Sequence, residues 1–456
     1  MLERLFKLRE HQTTLSREVV GGATTFLALS YIIFVQPGVM RLAGVPHDGA
    51  FFATCVASAA ACFLMGLLAN YPVALAPAMG HNFLFAFTIC GAMGFTWQQA
   101  LAANLVAGAV FMALGAVGFR RRIMEALPDG LKFAIAAGIG LLISFVGLQY
   151  ANIVVDQPAT FVQLGTLGHP VALLSLFGLA VTAILLCLRV RGAILIGAAL
   201  TAGAGLLAVR AGWTEVPLVI WHGVVGTPPS PASSALKVDF PGLFGLPWTQ
   251  WLTVIVVFLI LDLFDTIGTL VGVAERAGLM KDGQLPRAGR ALFADATGTV
   301  LGAALGTSTI TSYVESAAGV AAGARTGLAT IVTGVLLLAA MGFYPVVEMF
   351  GSGVNVAPAG VAPMVRYPVI APALILIGVY MIPVIRRIDW DDLTEAIPAF
   401  LTMVVMMMAF SITDGIAWGF ITYTVLKLVT GKVRQIKPLV AACAVLFVIR
   451  YIWLVG

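Results

Sequence analysis

The sequence predicts an all-α polytopic membrane protein that is built as an inverted repeat. Of its 456 residues, 60% are hydrophobic and only 10% are charged, and the mean hydropathy is +1.00. Soluble domains carry about 25% charged residues, so this composition excludes an ordinary soluble domain. Apolar runs of about 20 residues recur along the chain, and each is long enough to cross a bilayer.

These apolar runs predict fourteen membrane segments in two sets of seven. They are 18–40, 50–69, 73–91, 98–119, 129–149, 170–188, 192–209, 250–274, 291–306, 307–324, 327–349, 367–385, 393–411 and 413–430. The polar connection 211–247 separates the sets. Since seven is odd, the second set begins on the opposite side of the membrane, so any relation between the sets is a 7+7 inverted repeat. The apolar stretch 438–455 is either a further span or a helix docked at the interface.

The distribution of the 26 Lys and Arg residues predicts the topology. With the N-terminus (1–17) in the cytoplasm, only Arg41, Arg210, Lys237 and Arg366 fall on the outer side; Arg450 lies in the undecided C-terminal stretch and the others fall inside. The positive-inside rule requires this bias. Topology therefore explains the net charge of +5, and no nucleic-acid partner is expected. The prediction is a multi-pass protein of the cell (inner) membrane without a cleavable signal peptide.

The third segment of each set contains a break. Pro77 and Gly80 lie in the middle of 73–91, and the Thr- and Ser-rich run Gly306 to Gly319 opens 307–324. Pro removes a backbone donor and β-branched Thr favours extended chain, so each break is predicted to be a short strand followed by a half-helix. Matching breaks indicate a transporter's midplane site, with free N–H groups of two helix N-termini facing a ligand. Two distorted helices without a ligand are the alternative.

Three carboxylates lie inside these apolar segments. Asp262 and Asp265 belong to 250–274, and Glu315 lies at the second break. A charged side chain at the bilayer centre costs at least about 2.5 kcal/mol, so all three should point into the protein. No basic residue is predicted at this depth, and desolvation then favours the neutral acid, which suits proton coupling. The alternative is a buried carboxyl group held by hydroxyl or backbone N–H groups.

Other side chains near the breaks complete the candidate site. Asn82 offers donors and an acceptor for the edge of a heterocycle, and Phe264 offers a face for stacking. His81 is equally consistent with a ligand and a structural role. Asp295 is expected either to cap a helix or to brace the site.

Glycines four residues apart flank the breaks. They are Gly268 and Gly272 in one segment and Gly298, Gly302 and Gly306 in another. Such spacing lets membrane helices approach closely, so close packing is the expected role of both sets.

Three stretches of the chain resemble the signatures of a known family. They are Ala76-Pro-Ala-Met-Gly-His-Asn82, Phe264-Asp-Thr-Ile-Gly-Thr-Leu-Val-Gly272, and the run from Gly306 to Val320 with the following Gly323-Ala-Arg-Thr-Gly327. These stretches are similar to the nucleobase cation symporters of the nucleobase-ascorbate transporter superfamily, in particular the AzgA-like purine permeases. The resemblance implies import of hypoxanthine, guanine or adenine by proton symport, without a cofactor. His81 departs from the family pattern, which leaves the preferred purine open.

The resemblance also implies a division of the chain. A core domain (18–119 and 250–349) moves like an elevator past a gate domain (129–209 and 367–430), which forms a homodimer. The connection 211–247 is extracytoplasmic.

The site residues that follow from the resemblance and from the pattern form two groups. The substrate-binding candidates are Asp265, Glu315, Asn82, Phe264, Thr311 and Ser312, with Asp265 and Glu315 also coupling protons. The supporting candidates behind them are Asp262, Asp295, His81 and Thr269.

Other function classes fit the sequence less well. A channel requires a continuous polar lining, whereas the polar groups cluster at two breaks and one helix. An enzyme requires a nucleophile or metal cluster, but the five His are scattered and the five Cys lie in apolar runs without metal-ligand spacing. A transporter of inorganic anions or other small solutes with the same fold remains the alternative, although an anion site should display Arg or Lys. The expected partners are a purine, a proton and the lipid bilayer.

Overall fold

The structure, a computed structural model, describes residues 2–116, 128–214, 216–280, 285–357 and 364–454. Helices dominate these ranges, as the sequence predicts. Nine helices of the described chain are long and apolar enough to cross a membrane. The shorter apolar helices are Leu393–Met408 and Pro438–Ile449. The predicted end of the fourth segment, 117–119, lies outside the described residues, and the full set of fourteen segments stays a prediction.

The helices of the first half include short and interrupted elements. They are α1 (Leu2–Phe6), α2 (Leu15–Leu29), α3 (Ile32–Leu42), α4 (His47–Leu64), α5 (Met79–Phe83), α6 (Trp97–Ala116), α7 (Asp129–Tyr150), α8 (Pro170–Cys187) and α9 (Ala193–Arg210). Two of them, α4 and α5, continue as π-helical turns over Met65–Ala69 and Leu84–Ala92. The predicted segment 18–40 lies within one candidate membrane span, Leu15–Leu42, in which the turn residues Ser30 and Tyr31 interrupt the helix between α2 and α3.

The helices of the second half follow the connection 211–247. They are α10 (Phe240–Phe244), α11 (Trp248–Arg276), α12 (Ala288–Leu305), α13 (Ser316–Ala321), α14 (Gly327–Ala339), α15 (Tyr344–Phe350), α16 (Ala371–Met381), α17 (Leu393–Met408), α18 (Ile412–Val429) and α19 (Pro438–Leu454). A 3-10 turn, Ala340–Phe343, joins α14 to α15. The last helix packs on α18, with Val440 and Phe447 buried.

Short strands form three antiparallel pairs in the described chain. They are β1 (Leu75–Pro77) with β4 (Ile310–Ser312), β2 (Val154–Gln157) with β3 (Phe161–Leu164), and β5 (Val354–Asn355) with β6 (Val365–Arg366). The first pair joins distant parts of the chain, whereas the other two are local hairpins.

The helices pack in two sets, and the β1–β4 strand pair contacts the first of them through α4 and α12. In one set, α4 and α6 contact α12, and α2 and α4 contact α14; in the other, α7 contacts α16, α17 and α18. The connection 211–247 is anchored to the first set, because Ser234 Oγ donates to the Leu305 carbonyl at 2.8 Å. There α12 ends at Leu305, and the next residue, Gly306, turns the chain toward β4 with a φ of +109°, which favours glycine.

Candidate functional site

The two predicted breaks meet as one two-stranded sheet in the protein interior. In the β1–β4 pair, Leu75 lies opposite Ser312, Ala76 opposite Thr311 and Pro77 opposite Ile310. Outside the pair, the Ala78 N–H donates to the Thr309 carbonyl and the Tyr313 N–H to the Ala74 carbonyl, both at 2.9 Å. Because α5 follows β1 and α13 follows β4, the predicted strand and half-helix are confirmed at both breaks.

Side chains satisfy the remaining polar groups around this sheet. Cys62 Sγ lies 3.2 Å from the Leu75 amide nitrogen and 3.4 Å from its carbonyl oxygen. Ser316 Oγ accepts from the Ala74 N–H at 2.9 Å, and the Tyr313 hydroxyl donates to the Pro77 carbonyl. Irregular backbone survives at membrane depth only when protein groups satisfy it in this way.

The backbone donors expected at the second half-helix are already used. The N–H groups of Ser316, Ala317 and Ala318 donate to carbonyls three residues earlier, at 2.9 to 3.1 Å. The prediction of free N–H groups is therefore wrong at α13. Glu315 occupies the N-cap position, and its side chain forms no capping hydrogen bond. The group that this helix end presents is the Glu315 carboxylate.

Two acids of the candidate site are accessible. Asp265 is exposed in the middle of α11, and Glu315 is half-buried. Thr311 Oγ1 donates to Asp265 Oδ2 at 3.3 Å, and the Tyr31 hydroxyl donates to Glu315 Oε1 at 2.6 Å. Neither acid forms an ion pair with the described residues. Since a carboxylate accepts several hydrogen bonds, both acids retain capacity for a ligand's donors.

The α11 face that carries Asp265 borders open space. Gly268 and Gly272 lie one and two turns further along α11 and are exposed. A Cβ at either position has no described atom within 4 Å, so the prediction of close packing is wrong for this pair. It is confirmed for Gly302, where a Cβ comes within 3.1 Å of Ile310 Cγ1 on β4. The glycines thus leave room beside Asp265.

Two further acids lie behind the sheet and are inaccessible. Asp262, only 2% exposed, lies with Oδ2 3.1 Å from Thr299 Oγ1. Asp295, fully buried, accepts from Thr266 Oγ1 at 2.7 Å and from Ser312 Oγ at 3.1 Å. Because Asp295 lies well inside α12, its interpretation as a helix cap is wrong. Its hydrogen bonds tie α11 and β4 to α12.

Asn82 contacts the second break indirectly. It is fully buried, and its Nδ2 donates to Gln36 Oε1 at 2.7 Å. Gln36 Nε2 in turn lies 2.9 Å from both Thr307 Oγ1 and Ser308 Oγ. Gln36 therefore links the first break to the second, and Asn82 does not border the opening beside Asp265.

The remaining candidates differ in position. His81 is buried, and its ring lies parallel to that of Phe258, with the ring centroids 6.5 Å apart. Thr269 is half-buried on α11. The side chain of Phe264 lies outside the described part of the structure.

The sequence reasoning missed Tyr31 and Gln36, which hold Glu315 and Asn82. Both lie in the first apolar segment, and Gln36 precedes Pro37. A buried amide within an apolar segment is costly unless it has partners, and this signal could have identified Gln36.

The chain matches a known protein family over most of its length. The profile described as "Permease family" (Xan_ur_permease) matches residues 16–418. The chain is 44% identical to "Guanine/hypoxanthine permease PbuG" of Bacillus subtilis (strain 168), covering 99% of this chain and 100% of that protein. It is 40% identical to "Adenine permease AdeP" of Escherichia coli (strain K12), covering 100% of this chain and 96% of that protein.

Solved structures with a similar fold are more distant in sequence. The transmembrane domain of the cyanobacterial bicarbonate transporter BicA aligns with a TM-score of 0.61 at 14% identity, over 88% of this chain and 97% of that one. SLC26A9 aligns with a TM-score of 0.64 at 12% identity, over 94% of this chain and 67% of that one. At this identity the likeness concerns the fold alone.

Proposed function

Because this chain belongs to the Xan_ur_permease family, we propose that it is a secondary active transporter that imports purine nucleobases by proton symport. Its full-length relatives include a guanine/hypoxanthine permease and an adenine permease. The structural observation that carries the proposal is the pair of accessible acids, Asp265 and Glu315, beside the β1–β4 sheet. Purines offer N–H donors, and carboxylates are strong acceptors for them.

The roles of the site residues follow from their accessibility. Asp265 and Glu315 contact the purine and exchange the proton, and Thr311 orients Asp265. Ser312 and Asp295 hold β4 in place, and Asn82 acts through Gln36. Phe264 retains its proposed stacking role, and Asp262, Thr269 and His81 support the site from its surroundings.

Transport proceeds by an elevator movement in this proposal. The core domain (18–119 and 250–349) carries the purine past the gate domain (129–209 and 367–430), and the N-terminus lies in the cytoplasm of an inner-membrane protein. The separate packing of α12 with α6 and of α7 with α16 supports two bodies. The gate domain also forms a homodimer, which a monomeric mass in native mass spectrometry would contradict.

Transport of an inorganic anion is not favoured. The two similar solved structures are the transmembrane domain of the bicarbonate transporter BicA and SLC26A9, and they share only the fold with this chain. An anion site needs positive charge, whereas the described surroundings of Asp265 and Glu315 contain the acids Asp262 and Asp295 and the hydroxyls of Tyr31 and Tyr313.

Uptake by purified protein in proteoliposomes tests the substrate class. We expect radiolabelled hypoxanthine to accumulate, guanine or adenine to compete, and uracil and sulfate not to compete. Competition by sulfate without competition by any purine would contradict the proposal.

Uptake is expected to rise as the external pH falls. Among the described residues, the titratable groups that act on the two accessible acids include Tyr31, Tyr313, Tyr380, Asp262 and Asp295, and none of these five is a base that could neutralise a carboxylate. Moving an unpaired carboxylate through the protein is costly, so protonation from outside precedes the movement. With one proton per purine, an inward gradient of one pH unit supports about tenfold accumulation. If purine accumulation depended neither on the pH gradient nor on the presence of a protonophore, proton coupling would be excluded, whereas the binding site would not.

Tyr31→Phe is expected to weaken purine binding without preventing transport. The hydroxyl is the donor to Glu315 Oε1 at 2.6 Å, and its loss leaves the carboxylate less well positioned. A hydrogen bond to a charged group contributes about 1.5 kcal/mol or more, so KM should rise roughly tenfold with a smaller change in kcat. The matched control is Tyr150→Phe, which removes a buried hydroxyl that has no partner among the described residues. An unchanged KM in Tyr31→Phe would show that Tyr31 does not position Glu315.

A further inference from the structure

We propose that an apolar cavity between α2, α3, α9, α14 and α15 binds one hydrocarbon chain of a bilayer lipid. The cavity has a volume of about 300 Å³. Its walls are almost entirely carbon, and the large side chains that line it are Phe26, Phe34, Leu336, Phe343 and Phe350.

The chemistry of the walls excludes a polar ligand. Ser30 supplies the hydroxyl of the lining, and its Oγ already donates to the Leu27 carbonyl at 3.0 Å. A buried water needs two to four polar partners, which these walls do not offer, and protein cavities lined by apolar side chains bind apolar molecules such as benzene. The occupant that fits is therefore a hydrocarbon.

The exposure of the lining residues indicates where that hydrocarbon comes from. Phe34 and Phe350 form a floor that is only 1% and 2% exposed, whereas Phe343 at the mouth is 48% exposed. Val335 and Leu338 add exposed apolar surface on α14 beside the mouth. In a membrane protein such a surface lies against acyl chains, so a lipid chain reaches the cavity laterally without crossing water.

The cavity adjoins the helix break that holds an acid of the candidate site. Ser30 lines the cavity, and the next residue, Tyr31, donates to Glu315 Oε1. A chain seated against Ser30 fills the space beside the end of α2. The binding proposal itself does not depend on the transported substrate, so it can fail or succeed separately from the proposed function.

Photolabelling of the full chain in proteoliposomes tests this site. The probe is a phosphatidylcholine with a diazirine near the end of one acyl chain, and labelled residues are located by peptide mass spectrometry. We expect label on the floor residues Phe34 or Phe350, which surrounding lipid cannot reach. Ala340→Phe places a ring in the cavity and should reduce floor labelling at least about tenfold. The control Val335→Phe adds the same ring on the outer face of α14 and should leave floor labelling unchanged.

Two results would overturn the site. One is the absence of floor labelling in the unaltered protein while exposed residues such as Val335 are labelled. The other is full floor labelling in a correctly folded Ala340→Phe variant, judged by its elution as a single species. If that variant does not fold, Ala339→Leu narrows the mouth with a smaller side chain and should reduce floor labelling in the same direction.

Discussion

Glu315→Gln and Asp265→Asn are each expected to reduce purine uptake roughly 100-fold or more, because in the proposed mechanism each loses a charged hydrogen bond to the purine and a proton carrier. An amide keeps one acceptor but presents two donors along the rest of its edge. At Glu315, the Tyr31 hydroxyl already uses one carboxylate oxygen, so the glutamine is left facing purine N–H groups with a donor. The measurement is initial uptake into proteoliposomes at equal amounts of inserted protein.

Two controls separate the site from general damage to the protein. Asp262→Asn changes an acid that is only 2% exposed on the same helix as Asp265, and its effect should be smaller. Asp391→Asn changes an exposed acid before α17 and should leave uptake unchanged. Near-normal uptake and affinity in both Glu315→Gln and Asp265→Asn would remove the proposed binding site.

The sequence was sufficient to locate the two breaks because their chemistry is local. Pro77 cannot continue a helix hydrogen-bond ladder, and the Thr- and Ser-rich run before Glu315 favours extended chain. The sequence could not show that β1 and β4 pair with each other, since residues more than 200 positions apart supply that contact. The two breaks lie at matching positions of the predicted repeat, but the pairing of Leu75 with Ser312 and the register that follows from it are visible only in the structure.

Other features of the site escaped prediction because they depend on neighbours. The spacing of Gly268 and Gly272 is the same whether a helix or an opening lies beside them, and here it is an opening. The break at Ser30 and Tyr31 contains neither Pro nor Gly, so composition did not indicate it. Accessibility also distinguishes Asp265 from Asp262, although the two lie three residues apart in one apolar helix.

Glu18 shows how an ordinary sequence position can have a structural role. As an acid in the first turn of α2, it fits a common electrostatic preference of helix N-termini. In the structure it is fully buried and faces the start of another helix. Its Oε1 accepts from the Arg325 N–H at 2.9 Å, and its Oε2 accepts from the N–H groups of Thr326 and Ala329 at 3.2 and 3.3 Å. Glu18 thereby anchors α2 to the beginning of α14.

The same anchor reaches the half-helix that begins after Glu315. The Arg325 guanidinium donates to the carbonyls of Val320 and Ala324, at 2.7 and 2.6 Å. Glu18 fixes the Arg325 backbone, so it holds the far end of α13 while Glu315 lies at the near end. Loss of Glu18 should therefore affect both stability and the position of the candidate site.

Glu18→Ala is expected to be the most destabilising single change considered for this chain. It leaves buried backbone N–H groups without their acceptor and opens a cavity, and each unsatisfied group costs about 1 to 3 kcal/mol. For a chain of 456 residues, a loss of about 3 kcal/mol corresponds to a fall of roughly 3 °C in the apparent Tm of the protein in detergent. Glu18→Gln keeps one acceptor oxygen, so its Tm should lie between those of the unaltered protein and Glu18→Ala.

The control is Glu10→Ala, which removes a glutamate that is 60% exposed and paired with Lys7 at the surface, and it should change Tm little. Equal Tm values for Glu18→Ala and Glu10→Ala would show that the anchor contributes no stability.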